Sequence, residues 1–406
     1  MDTNELRSKN SCCGCGVCKE ICPKQAITME CDEYGFVYPV IDKKKCIDCG
    51  LCKQKCSFGN ATLEQIKECY AAVNVNEHEL MKSSSGGVFA SIASEFLKEG
   101  SVCGVKIVRN ANSFDVAHKL IQQKAELYML QGSKYVQSHM WHCVSDIKSM
   151  LETGRKVLFS GTPCQVAAIK DLYKKYVGTQ LFTIDLICHG VPSQKMFNDY
   201  LQQYQNDNGV RVEKYDFRNK KCGWGANGIM EVTNEDQMRS EIKITSDNAS
   251  YYHFFYKGDL SRESCYECPY ACQNRVGDVT IGDYWGIETF NPELLSENGG
   301  SLDRQRGVSC LLINNQSGKE LIERYGKNLQ LYPIDFNNIA VYNTQLREPV
   351  KPSKLRKKIF DAYLQSGYSG VDRIYVKRRR MAKLKTAIKS IIPSGIKKKI
   401  KKVLYK

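Results

Sequence analysis

No run of eighteen apolar residues occurs in this 406-residue chain, so no membrane-spanning helix is expected. The opening Met1-Asp2-Thr3-Asn4-Glu5 lacks an apolar segment, which predicts no secretory signal. Acidic residues are missing altogether from residues 377–406, where 13 Lys and Arg stand. Those 13 make up most of the net charge of +15, and the near-neutral remainder argues against a nucleic-acid-binding body. No titratable residue stands out as a proton donor. Cysteine, by contrast, is abundant, at 20 residues. A disulfide scaffold would be short and secreted, so these thiols are expected to be reduced, to serve metal, and to sit in a cytosolic protein. At 42% hydrophobic and 25% charged the composition is ordinary, and the length allows a small unit plus one or two larger domains with their own cores.

Eight of the cysteines fall into two runs, Cys12-x2-Cys15-x2-Cys18-x3-Cys22-Pro23 and Cys46-x2-Cys49-x2-Cys52-x3-Cys56. Three thiols spaced by two residues can wrap one corner of a cubane, while the fourth is carried off by the next turn and reaches a different cluster. One [4Fe–4S] cluster would take Cys12, Cys15, Cys18 and Cys56, and a second would take Cys46, Cys49, Cys52 and Cys22. Zinc uses four ligands in two pairs, a poorer match to this doubled layout. Gly14, Gly16 and Gly50 suit turns that aim backbone N–H groups at sulfur. Between the runs, Ile27 to Met29, Asp32-Glu33-Tyr34-Gly35 and Phe36 to Tyr38 predict strand, turn, strand. Ser57 stands where a proline often follows the last ligand; Cys13 and Cys31 lie outside the pattern and are read as non-ligands.

Cys69 to Val75 predicts a strand, and Ser83-Ser84-Ser85-Gly86-Gly87 a loop before a helix with Val88, Phe89, Ile92, Ala93, Phe96 and Leu97 on one side. Such a helix start can bind a phosphate or can be an ordinary Ser cap. Residues 101–108 and 114–121 read as strands, followed by a helix leading to Gln131, and another near 142–153. The strand Lys156 to Phe159 feeds Ser160-Gly161-Thr162-Pro163-Cys164-Gln165 and a helix; Leu181 to Ile187 feeds Cys188-His189-Gly190-Val191-Pro192. Alternation of this kind predicts α/β units over a largely parallel sheet, with ligands at the carboxyl ends of its strands. Cys164 and Cys188 there are either small buried hydrophobes or thiolates that ligate a cluster or face a cofactor. His189 beside Cys188 is a poor match to a Cys–His nucleophile, since sequence neighbours rarely face each other. From 211 the pattern is more β-rich, with strands at 212–217, 229–233 and 241–245. Cys265-x2-Cys268-Pro269-x2-Cys272 offers three thiols on one loop, for zinc or for a further iron–sulfur site, with Cys164, Cys188 or Cys222 as the fourth ligand. Residues 307–334 read as strand, helix, strand. In the tail, Leu384, Ile388, Ile391 and Ile392, then Ile396, Ile400, Val403 and Leu404, form apolar stripes on Lys-rich helices, as on helices that lie on anionic bilayers; a solvated tail that binds RNA loosely is the alternative.

Ser84-Ser85-Gly86-Gly87-Val88, Gly132-Ser133-Lys134-Tyr135-Val136-Gln137-Ser138, Gly161 to Gln165, Cys188 to Pro192, and Gly277 to Gly286 together resemble the beta subunit of coenzyme F420 hydrogenase/dehydrogenase, in its bacterial form with a two-cluster ferredoxin fused at the amino end. The resemblance implies a flavin, FAD, contacted by Ser84, Ser85, Gly86, Gly87, Gly161, Thr162, Pro163, Cys164 and Gln165, and a third cluster at Cys265, Cys268 and Cys272. It implies an oxidoreductase exchanging hydride with F420 or another acceptor, with a link to cell-surface polysaccharide synthesis; the alternative is a non-catalytic electron-transfer subunit. A reduced ferredoxin or partner flavoprotein is the expected donor, and the inner face of the cell membrane the expected peripheral location. The expected units are a ferredoxin-like domain at 1–60, a flavin-binding α/β part at 69–210, a Cys-rich part at 211–345 and the basic tail at 373–406.

Overall fold

The structure, a computed structural model, describes residues 6–111 and 113–391. Among these the strands are β1 (Ile27–Cys31), β2 (Val37–Ile41), β3 (Glu68–Asn74), β4 (Gly100–Arg109), β5 (Phe114–Ile121), β6 (Lys156–Gly161), β7 (Leu181–Leu186), β8 (Val210–Asp216), β9 (Gly228–Asn234), β10 (Arg239–Ile244), β11 (Val279–Asp283), β12 (Ser309–Ile313) and β13 (Leu329–Pro333). β1 and β2 form the expected hairpin, with Ile27 opposite Ile41 and Cys31 opposite Val37. Its turn is fixed by Asp32, whose Oδ1 accepts from the N–H of Tyr34 and of Phe36, and by Gly35 at φ 81°. Short helices Val17–Glu20 and Leu51–Gln54 each start after a left-handed glycine, Gly16 and Gly50, inside the two cysteine runs.

The main sheet has the order β13-β3-β12-β11-β7-β6-β4-β5. Its centre, β11, β7, β6 and β4, runs parallel. Both flanks are antiparallel: β5 returns on β4 through a loop too short for a crossover, and β12 pairs with β11 on one side and β3 on the other. The sheet is therefore mixed, parallel where the loops of interest arise. Because β12 opposes both of its neighbours, β3 points the same way as β11.

Alternation along the central strands assigns the two faces. Leu158, Phe182 and Ile184 meet Ile92 and Phe96 of helix Val88–Phe96 and Leu321 and Tyr325 of helix Gln316–Tyr325. Val157, Phe159 and Leu181 meet Ile147 and Leu151 of helix Val144–Glu152 and Val166 and Ile169 of helix Pro163–Leu172. A second, antiparallel sheet, β10-β9-β8, shares an aromatic core with helices Gln194–Asn208, Ser250–Tyr256, Arg356–Ser366 and Tyr368–Ile391. Phe197, Tyr200, Tyr215, Phe217, Tyr251 and Tyr252 pack there with ring centroids 4.8–6.4 Å apart. The hairpin also packs on this core, Tyr34 edge-on against Phe360 at 4.8 Å. Helix Tyr368–Ile391 is rooted by buried Tyr368, Val371 and Tyr375, and beyond them Met381 and Leu384 are exposed. The stripe positions Ile392, Ile396, Ile400, Val403 and Leu404 lie outside the described residues.

Candidate functional site

The loops after β3, β6, β7 and β11 leave the same edge of the main sheet and enclose a cavity of about 630 Å³. Ser83 to Ser85 and Gly87 line one side, Gln131 to Ser138 another, and Ser160 to Thr162, Cys164, Gln165 and Leu186 to Val191 form the floor. Arg218, Tyr256, Asp283 and Trp285 close the far end. All the flavin positions expected from the motifs line this space except Gly86 and Pro163.

The Ser-Gly-Gly loop lies flat on the sheet. A Cβ on Gly86 would stand 2.1 Å from the Ala72 carbonyl of β3 and 2.6 Å from the Ser309 nitrogen of β12, so only glycine lets the backbone come this close. Its serines are engaged in fastening loops: Ser84 Oγ accepts from the N–H and hydroxyl of Ser133, both at 2.8 Å, and Ser85 Oγ donates to the Val308 carbonyl. The cap of helix Val88–Phe96 is Gly87 at φ 80°, with no side-chain hydrogen bond to the helix. A Ser cap is therefore not what the serines provide; the first turn is uncapped by a side chain, and its Val88 and Phe89 line the cavity. Two lysines add positive charge nearby. Lys134 Nζ donates to the carbonyls of Met129 and Gln131, and Lys220 Nζ to those of Leu80 and Ser85. Burial pulls both ammonium groups down to about 7, and neither has a carboxylate in ion-pair distance among the described residues. An open helix end beside the desolvated Lys134, which lines the cavity and is in no ion pair among the described residues, is a setting for a diphosphate.

Gln165 ties the floor to the wall. Its Oε1 accepts from the Thr162 N–H, and its Nε2 donates to the carbonyl and hydroxyl of Ser138. His118 stands beneath, stacked on Phe159 at 5.1 Å. Its Nε2 must donate to the Ser160 carbonyl, which fixes Nδ1 as the acceptor of the Ser138 hydroxyl. Burial pushes the imidazole down to about 4, so it is neutral at physiological pH. At the far end, Asp283 accepts from Arg218 Nη1 and from Trp224 Nε1, while Arg218 Nη2 is buried without a partner. Trp224 and Trp285 are stacked 4.6 Å apart at 13°, and Tyr135 and Phe255 at 4.5 Å. Tyr135, Phe255 and Trp285 thus line the cavity with planar rings.

The thiols form three groups. Cys22, Cys46, Cys49 and Cys52 line one cavity; Cys12, Cys15, Cys18 and Cys56 line a second, together with Cys13 and Cys52. The crossed grouping is visible in the neighbours: burial raises Cys18 to about 12, with Cys12 and Cys56 adding to it, and burial raises Cys52, with Cys49 and Cys22 adding. The third group joins β6, β7 and the Cys-rich loop. Burial pushes Cys265 well up, and the thiols of Cys188, Cys268 and Cys164 push it further; Cys188 and Cys268 are each raised to about 12 by burial, then by Cys164. Cys272 points elsewhere, its Sγ donating to the carbonyls of Pro269 and Asn274. Cys222 ends a 3-10 turn, Lys220–Cys222, and is not among the thiols that act on Cys188, Cys265 and Cys268. Among the described residues no three His, Cys, Asp or Glu groups converge as ligands of a single metal ion do, whereas thiols around a cubane stand further apart.

Two buried arginines hold this arrangement. Arg275 donates to the carbonyls of Tyr270 and Cys272 and pairs with Asp185 at 3.1 Å, fastening the Cys-rich loop to β7. Arg262 donates to the carbonyls of Cys12 and Val37 and to Gln137 Oε1, and lies 4.0 Å over the Tyr38 ring. It is fully buried with no carboxylate partner among the described residues. A buried guanidinium between two thiol groups fits anionic thiolate clusters that would balance its charge.

Lys134, Arg218, Tyr256, Asp283 and Trp285 are additional to the site expected from sequence. Lys134, Asp283 and Trp285 lie inside the motifs themselves; Arg218 and Tyr256 carry no sequence signal of a site.

Residues 154–336 match the family model for the C-terminal region of the coenzyme F420 hydrogenase/dehydrogenase beta subunit, and residues 69–144 match the model for its N-terminal region. No curated protein matches the chain. Among solved structures, a chain of the F420-reducing [NiFe] hydrogenase complex from Methanosarcina barkeri, studied by xenon derivatization, is similar at 16% identity with a TM-score of 0.46, over 74% of this chain and 93% of that one. The cysteine runs at 12–56 precede the matched segments. On the two family matches, which together span most of the sequence, the chain belongs to the coenzyme F420 hydrogenase/dehydrogenase beta-subunit family.

Proposed function

We propose that the chain is an iron–sulfur flavoprotein oxidoreductase that accepts single electrons at its amino-terminal unit and exchanges a hydride with a small acceptor in the main cavity. The observation that carries this reading is the succession of three cavities. The cavity of Cys22, Cys46, Cys49 and Cys52 shares Cys52 with the next, and that one shares Cys13 with the main cavity. The buried Cys13 thiol lies close to both Cys15 and Cys164, members of different thiol groups. Bound clusters would supply one-electron steps and a bound flavin would couple them to two-electron chemistry.

The chain's residues have separable tasks in this reading. The two amino-terminal quartets hold two [4Fe–4S] clusters, and Cys164, Cys188, Cys265 and Cys268 hold a third, with Cys272 outside the set. Lys134 and the open end of helix Val88–Phe96 would hold the diphosphate of FAD, Lys220 would brace the serine loop beside them through the Ser85 carbonyl, and the Gln165–Ser138–His118 chain keeps the cavity floor rigid. Trp285, Tyr256 and Arg218 Nη2 receive a planar, anionic acceptor, of which a deazaflavin such as F420 is one. The basic helix Tyr368–Ile391 brings the protein to an anionic membrane surface, since it leaves the body with Met381 and Leu384 exposed; among the described residues no helix is long and apolar enough to cross a bilayer.

Anaerobic purification followed by a count of iron, sulfide and flavin tests the assignment. About twelve irons and one flavin per chain are expected. About eight irons with no flavin would reduce the protein to a two-cluster electron carrier and remove the oxidoreductase reading.

A further inference from the structure

We infer that the outer face of the amino-terminal unit, spanning Lys43–Lys55, is the docking surface for a small acidic protein that carries one electron. This rests on the cluster assignment proposed above for Cys22, Cys46, Cys49 and Cys52.

The amino-terminal unit is buried against the body through Val17, Phe36 and Val37, and through Arg262, which grips Cys12 and Val37. Its opposite side is open: Cys49 and Gly50 are exposed, and Ile47 is 58% exposed. The thiol group beneath is the last in the series of cavities, touching the next through Cys52 alone. An electron that enters at this exposed outer end can pass along the whole series to the main cavity.

Charge then selects the visitor. Lys24, Lys43, Lys44, Lys45, Lys53 and Lys55 are all exposed around these thiols, against Asp42 and Asp48. Lys45 lies 3.8 Å from Asp42, and the other five have no ion pair among the described residues. Unpaired surface lysines around an exposed redox site raise the encounter rate of an anionic partner by roughly 10- to 1000-fold at low salt. An anionic bilayer would satisfy the lysines, but Ile47 is alone, with no apolar stripe beside it to enter the acyl region. Each encounter moves one electron from the reduced carrier to this end of the chain, with no bond or proton transferred.

The test is stopped-flow oxidation of a reduced acidic plant-type ferredoxin by the full-length holoprotein, wild type against K43E/K44E/K45E. We expect the second-order rate constant to fall at least about tenfold at low ionic strength, and the two proteins to converge near about 1 M salt, where screening reaches a few ångströms. Dithionite, which needs no docking, should reduce both at the same rate. A second measurement needs no variant: carbodiimide cross-linking of wild type to the same ferredoxin should map to Lys43–Lys45 and Lys53. A rate change within about twofold, or cross-links that map to 377–385, would overturn the docking proposal while a full iron count leaves the cluster assignment standing. Loss of anionic-vesicle binding in the triple variant with an unchanged ferredoxin rate would also overturn it, in favour of a lipid surface. An iron count showing no cluster at the distal thiols would remove the assignment and the proposal together.

Discussion

His118 shows how one buried side chain can set the floor of a cavity. It is neutral because burial holds its pKa near 4, against about 6.5 in the unfolded chain. Between those values the unfolded state binds the proton and the folded state does not, so stability falls as pH is lowered through this window. Replacing it by Gln keeps a donor for the Ser160 carbonyl and removes the titration. The stability difference between wild type and His118→Gln, measured by urea unfolding, should change by about 2 kcal/mol from pH 7 to pH 5, with wild type losing more. An equal pH response in both would show that His118 is not the titrating group. The thiols make a second contrast. Cys265→Ser should lose about four irons per chain, whereas Cys272→Ser should keep a full complement, because Cys272 gives its Sγ to two carbonyls instead of to the other thiols. Sequence spacing put Cys272 with Cys265 and Cys268; it carries no information on which of three thiols in a short loop turns inward, and the partners Cys164 and Cys188 come from strand ends about a hundred residues earlier.

Loops and helices follow from local rules in some places and from packing in others. The hairpin β1–β2 and the strand–loop–helix units at β6 and β7 were legible because alternation, turn residues and a Thr-Pro helix start all agree there. The place of β3 between β12 and β13 was not, since pairing across more than two hundred residues leaves no local trace. Nor was the role of helix Ser250–Tyr256, whose run of aromatics is explained only by the core it enters. The Ser-Gly-Gly loop is where a local rule becomes a test. Gly86→Ala must push the loop off the Ala72 carbonyl, at a cost of about 1–3 kcal/mol, and should lower flavin retention on gel filtration without changing iron content. Flavin retained at the wild-type level would mean that this loop does not hold it. Helix Tyr368–Ile391 supports a parallel prediction. Removing residues 377–406 leaves Tyr368, Val371 and Tyr375 in the core, so the body should stay folded while co-sedimentation with anionic vesicles is lost. Unchanged co-sedimentation would remove the membrane role.

The assembled molecule depends on a joint that no motif announces. Arg262 donates to the carbonyls of Cys12 and Val37 and to Gln137, and so binds the amino-terminal unit, the hairpin and the cavity wall at one guanidinium. Cys13, whose carbonyl accepts from Gln137 Nε2 at 2.9 Å, is placed against Cys164 by the same joint. Arginine suits the position because its planar fork reaches acceptors on three segments at once, which a lysine cannot do. Arg262→Met keeps the packing over Tyr38 but leaves two buried carbonyls and an amide oxygen without donors, costing about 3 kcal/mol or more. The main sheet does not pass through this contact, and Met keeps the packing over Tyr38 at the edge of the aromatic core, so the loss should appear as loosening of the amino-terminal unit and not as global unfolding. Limited proteolysis should then cut the connection near residues 59–67 faster than in wild type. Electron transfer from a docked carrier to the main cavity should slow, while iron content and dithionite reduction of the amino-terminal thiol sites stay the same. If the variant unfolds as a whole, with both units lost together, the amino-terminal unit is part of one cooperative body and Arg262 is a core residue of it; if proteolysis and electron transfer are both unchanged, the joint lies in the apolar contacts of Val17 and Phe36 instead.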